Sequence, residues 1–416
     1  MKGAIVSMLV FPLSRNPRNA CNQLAVNPRT CRILFTYFLL LVFLIPLLAR
    51  RAEGQEPAGD GICHDHGGEC RGGFLYVANF ASGNILSGLH VNRMTGALTP
   101  VPRSPFANGA AAPISVAVDA TGRFVYADSG DNIAGYRVNE HNGDLTPIAG
   151  SPFADPASPY GIAGDPTGRF LYSANYVSGE VGGFRINPVT GALAPVPGSP
   201  FPAGSGPYTV AVDPKGRFVY VSNLGGNVSG YRINEYSGAL TPVPGSPFSA
   251  PQNGFALTVE PTGRFLYETN QNGTVLGFEI DRMTGALTAI AGSPFPAEEG
   301  PFSLAADPNG KFLYVVNAAY TPPDLCNVSA YRIDPDSGVL EQLPGSPFTA
   351  GVESDFVAVD PRGKFAYVAN FGDGTIGTFA IDAGTGALTQ APNSPFAAGP
   401  GPNWIAVDES FGRRKF

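Results

Sequence analysis

The sequence predicts an all-β fold, a seven-bladed β-propeller of four-stranded blades. Three observations lead there. A Phe followed two residues later by a Tyr recurs at Phe74, Phe124, Phe170, Phe218, Phe265, Phe312 and Phe365, with spacings of 50, 46, 48, 47, 47 and 53 residues. Periods in the forties belong to propellers or helical arrays. Each unit is a set of short β-branched and aromatic runs ended by turn residues, with no helical period between them, which selects the propeller. The first unit also lacks a strand that the last unit has to spare.

The unit around Gly216–Pro247 shows the elements in order. Phe218-Val219-Tyr220-Val221-Ser222-Asn223 is a strand closed by Leu224-Gly225-Gly226. Residues two apart share a face, so Phe218 and Tyr220 point the same way. The next strand, Asn227 to Ile233, alternates again. It ends in Asn234-Glu235-Tyr236-Ser237-Gly238, where Asn can bond the backbone ahead of it and Gly can take positive φ. Related turns run from Asn92, Asn187, Asp281, Asp334 and Asp382. Ala239-Leu240-Thr241-Pro242-Val243 is a third strand whose proline suits a sheet edge. The fourth, Tyr208 to Val212, carries Ala211 two places before Asp213, and Ala117, Ala163, Ala305, Ala358 and Ala406 repeat that placement. Small residues fit where seven strands converge on an axis, so this strand is expected innermost.

The chain begins its first blade at Phe74 with a second strand. Its last inner strand, Asn403 to Asp408, has only a remnant behind it. The C-terminal strand is therefore expected to complete the first blade, which removes open sheet edges.

The 416 residues carry a net charge of −7. Residues 1–51 hold seven cations and no acid, so the remainder carries −14. An acidic body argues against nucleic acid as a partner. The expected organisation is a basic segment 1–32, a signal peptide or membrane anchor at 33–49, a linker 50–73 and the propeller 74–416. The apolar run Ile33–Ala49 is preceded by positive charge, which favours an exported, extracytoplasmic propeller that touches membrane only through residues 33–49. Cleavage and retention of that run are both open. Cys63 and Cys70 lie in the linker with His64 and His66; a disulfide, a metal site and neither are three readings of that cluster, and the disulfide is preferred for an exported chain. No metal site or cofactor is expected.

Loops that enter the inner strands and leave the second strands share one face, the expected binding mouth. The entry loops read Gly-Ser-Pro-Phe, small residues, then Gly-x-Pro. Six units end the second strand in Asn, such as Asn223 and Asn370, which reads as turn capping. After the entry loop five blades place a bulky apolar residue, among them Tyr208 and Phe302; the other two place Asp355 and Asn403, followed by Phe356 and the single tryptophan, Trp404. Glu298, Glu299 and Glu353 lie in neighbouring entry loops. A polar notch flanked by carboxylates in an aromatic ring is the candidate pocket, with Asp355 as candidate catalytic base and Asn403, Trp404, Phe356, Glu353, Glu298, Glu299 and Tyr208 as candidate ligand contacts.

The Phe-x-Tyr-Val-x-Asn strands, the Asp/Asn-x-x-x-Gly-x-Leu-Thr turns and the ending Gly401-Pro402-Asn403-Trp404-Ile405-Ala406-Val407 make residues 74–416 resemble the lactonase family of seven-bladed propellers. That family includes 6-phosphogluconolactonase and muconate-cyclising relatives. The resemblance implies Arg and His at the start of inner strands in lactonase members. Here those places read Gly206-Pro207-Tyr208-Thr209 and Gly300-Pro301-Phe302-Ser303, and no inner strand carries Arg or His. Lactone hydrolysis needs a base and an oxyanion donor, and a phosphorylated lactone needs a basic pocket. Three functions follow: a propeller binding a small molecule, glycan or protein at its mouth with a degenerate catalytic site; an active lactonase using Asp355; and a surface scaffold.

Overall fold

The computed structural model describes residues 73–81, 85–108, 111–155, 158–318 and 326–408, all within the compact unit Glu69–Phe416. Among the described residues every regular element is a strand, and the strands form seven antiparallel sheets. Blade 4 is representative. Its inner strand Pro207–Val212 pairs with Phe218–Asn223, then Asn227–Ile233, then Leu240–Pro242. The middle strand Phe218–Asn223 is buried along its whole length, because neighbouring blades cover both of its faces. This is why it reads as a nearly continuous apolar run.

One expectation is corrected. The Ser-Pro-Phe segment is the second half of the blade's outer edge and not part of the loop entering the next inner strand. Phe248–Ser249 pairs with Asn227 and Val228, at the other end of the strand Asn227–Ile233 from Leu240–Pro242. Three local features place it there. Gly245 turns the chain at φ +85°, the Ser246 hydroxyl accepts from Gly230 N at 2.9 Å, and the Phe248 ring lies over Gly230. A Cβ at Gly230 would come within 3.2 Å of both Phe248 and Tyr220, so blade 4 needs glycine at this point.

Closure is as expected. Pro402–Val407 pairs antiparallel with Gly73–Asn79, opposing Ala406 to Tyr76. The Phe-x-Tyr pairs hold blade to blade. Tyr220 Oη donates to Gly285 O of the next blade at 2.8 Å, and Tyr76, Tyr126, Tyr172, Tyr267 and Tyr314 repeat the bond. The Phe218 ring lies between the guanidinium groups of Arg217 and Arg232, 5.1 and 4.9 Å from its centroid. Those arginines donate to the backbone carbonyls of Arg282 and Met283 in the neighbouring turn.

The expected segments 1–32 and 33–49, and Cys63 and Cys70, lie outside the described residues. Among the described residues no helix is long and apolar enough to cross a membrane. Cys326 is buried, and its Sγ accepts from Ser354 N at 3.1 Å.

Candidate functional site

The mouth is shaped by a register shift. In blades 3, 4, 6, 7 and 1 one residue near the start of the inner strand has no partner on the second strand: Tyr160, Tyr208, Phe302, Asp355 and Asn403. A bulge re-aims the side chain it carries. In blades 3 to 6 the result is an aromatic cluster. Tyr208 lies 5.5 Å from Tyr160 and 4.8 Å from Phe255, and 6.2 Å from Phe302 two blades away. Contact between non-adjacent blades means that these rings converge toward the axis.

Blades 7 and 1 are built differently. Phe356 and Trp404 stack at 4.4 Å with a 30° interplanar angle, and both are partly exposed. Each holds the place that the buried Thr209 and Ser303 hold in blades 4 and 6, one residue after the bulge. Asp355, one residue earlier, holds the bulged place that Tyr208 and Phe302 hold in their blades. It is only 3 % exposed, and its Oδ1 is buried without a hydrogen-bond partner. Burial, with the nearby charge of Glu353, pushes its carboxyl up to about 8. The expected open notch is therefore absent at Asp355: its carboxyl is enclosed, and burial favours the protonated form.

The other candidates divide. Asn403 is partly exposed, and its Nδ2 donates to Ile114 O at 2.9 Å, tying blade 1 to blade 2. Glu353 stands beside Asp355 in a left-handed conformation, φ +49°. The equivalent Gly206, Gly300 and Gly401 hold φ of +65°, +71° and +64°, so Glu353 occupies a backbone place better suited to glycine. Glu298 and Glu299 are exposed on the rim, and the charge that bears on Asp355 is that of Glu353 alone. Tyr208 belongs to the aromatic cluster of blades 3 to 6. The second-strand asparagines are occupied in structure: Asn223 Nδ2 bonds Asn227 Oδ1 at 2.8 Å, and Asn370 Oδ1 accepts from Ser354 Oγ at 2.8 Å.

Two further buried acids were missed. Asp128 accepts from Ile114 N and Ser115 N at 2.8 and 2.6 Å, and burial outweighs those bonds to push it up to about 8. Glu268 is fully buried with both carboxylate oxygens unpartnered, packed against Gly254, and burial pushes it up to about 8. The signal was available. In the aligned second strands Asp128 replaces Ala, Ser, Thr or Val, and Glu268 replaces Val, Ala or Ser. Among the described residues no group of His, Cys, Asp and Glu could hold a metal ion.

The profile of the lactonase, 7-bladed beta-propeller family matches residues 72–206, 193–300 and 292–407. The chain belongs to the lactonase family. Solved structures with the same fold include a candidate 6-phosphogluconolactonase of Bacteroides fragilis, 22 % identical with a TM-score of 0.68, covering 82 % of this chain and 99 % of that one. A second candidate 6-phosphogluconolactonase, from Bacteroides uniformis, is 19 % identical with a TM-score of 0.68 over 81 % and 99 %. The periplasmic gluconolactonase of Pseudomonas aeruginosa is 22 % identical with a TM-score of 0.66 over 81 % and 99 %. No curated protein matches the chain. Within this lactonase-family propeller the described inner strands carry no Arg, Lys or His, and burial raises the Asp355 carboxyl to about 8.

Proposed function

We propose that this chain is an exported lactonase-family propeller that binds a small carbohydrate-like ring on the Phe356–Trp404 platform without hydrolysing it. The observation that carries the reading is the state of Asp355. A buried carboxyl raised to about 8 is a poor base at neutral pH, and no His or Arg on an inner strand replaces it. The stacked pair offers a flat apolar face to the C–H face of a sugar, and the acidic rim disfavours a phosphorylated one. Export is supported by the acid-free basic residues ahead of the apolar run 33–49.

Trp404 is the only tryptophan, so emission excited to the red of tyrosine absorption reports on this site alone. Titration of the full chain with neutral monosaccharides and aldonolactones should give a saturable change that Phe356→Ala abolishes. Glucono-1,5-lactone and 6-phosphogluconolactone should hydrolyse at the uncatalysed rate. The second reading, an active lactonase, is favoured by family membership. It requires turnover that falls about a hundredfold or more in Asp355→Asn, the usual weight of an acid–base group, and that result would replace the binding reading.

A further inference from the structure

A cavity of about 730 Å³ opens on the face opposite the mouth, across the seam of blades 6, 7 and 1. Its lining includes Met94, Phe312, Lys364, Phe365, Ala380 and Gln390. The repeat explains why it is there. At the place of Ala380, blades 1 to 6 carry a longer side chain: Arg in four of them, His90 in blade 1 and Glu279 in blade 5. In blade 4 that residue, Arg232, covers the Phe218 ring and bonds the next turn. Ala380 leaves that volume empty beside Phe365.

A second observation falls at the same seam. Tyr367 Oη and Thr378 Oγ1 are fully buried and lack hydrogen-bond partners, whereas the equivalent tyrosine of each other blade bonds a turn glycine. Thr378 Cγ2 would lie 2.9 Å from a Cβ at Gly96, immediately beside Thr95 of the cavity wall. Among the described residues this is the seam that lacks the tyrosine–glycine bond, while Arg362 Nη2 donates to Arg93 O across it at 3.4 Å.

We propose that this cavity is a second ligand site, distinct from the mouth, for a small amphipathic anion: a flat apolar body with one acid group. Met94, 83 % exposed, and Phe365 supply the apolar walls. Arg362 is paired with Asp360 at 3.0 Å, and the Asp307 carboxylate is occupied by Lys311 N and Phe312 N at 2.5 and 2.8 Å. Lys364 is exposed and makes no ion pair among the described residues, which leaves its ammonium for the acid group.

The test uses the full chain, calorimetric titration and two probes of one shape. Naphthalene-2-sulfonate should bind at one site, and the matching 2-naphthyltrimethylammonium cation should not. Ala380→Leu, which fills the volume without adding charge, and Lys364→Gln should each weaken sulfonate binding about tenfold or more. Trp404→Ala should leave it unchanged. Absence of saturable sulfonate binding, or binding lost in Trp404→Ala and kept in Ala380→Leu, overturns the second site. Neither result bears on sugar binding at the mouth, which Trp404 fluorescence reads separately.

Discussion

At the scale of single residues, the protein is marked by acids placed where its repeat calls for apolar side chains. Asp355, Asp128 and Glu268 are each raised to about 8 by burial. Their unfolded values lie near 4, so between about pH 4 and pH 8 the folded chain holds protons that the unfolded chain has released. Stability therefore falls as pH rises through that window, by up to about 1.4 kcal/mol per pH unit for each group. Calorimetric melting should show a lower Tm at pH 9 than at pH 5, and Glu268→Gln should narrow the difference. An unchanged difference in Glu268→Gln would mean that Glu268 is not protonated in the folded protein. Glu353 gives a second prediction. Its left-handed backbone costs about 1 kcal/mol relative to glycine, so Glu353→Gly should raise stability by about that amount in chemical denaturation. The expected price at the platform is a change in the Trp404 fluorescence titration.

At the scale of elements, the blade-to-blade contacts are repeated units whose worth can be measured one at a time. Tyr220→Phe removes a buried hydroxyl and leaves Gly285 O without that donor, so it should cost about 1–2 kcal/mol. Phe218→Ala removes the ring held between Arg217 and Arg232 and should cost about 3–5 kcal/mol. If the two substitutions cost the same, the ring is not the main contact. These elements were legible in the sequence because their function is packing: Phe and Tyr two apart, and Gly at a turn, recur for the same steric reason in every blade. The Ser-Pro-Phe piece was misplaced because it looks like a turn when read locally. Its partner strand, Asn227–Ile233, lies some twenty residues earlier, and only the pairing reveals an edge.

At the scale of the whole molecule, the ring closes through the C-terminal strand, which completes blade 1 and sets it against blade 7. Blade 7 meets blade 1 with Tyr367 Oη and Thr378 Oγ1 both unpartnered. Blade 6 has Ala330 where blade 7 has Thr378, and there Tyr314 bonds Gly386 O at 3.0 Å. Thr378→Ala should therefore let Tyr367 reach the blade 1 turn and stabilise the ring by about 1 kcal/mol or more. A loss of stability in denaturant titration would show that the threonine methyl packs better than the bond it displaces.

The sequence by itself determined the seven-fold β architecture, the order of strands in a blade, the closing strand and the absence of inner-strand cations. All of these follow from period, alternation and turn chemistry, which are local or repeated. That Asp355 is buried was settled by the folded ring alone, because Tyr208, Phe302 and Asn403 hold the same bulged place and stay partly exposed, so enclosure depends on side chains from neighbouring blades. Only the tertiary structure revealed the cavity at the seam, because it depends on side chains from three blades that meet when the ring is closed.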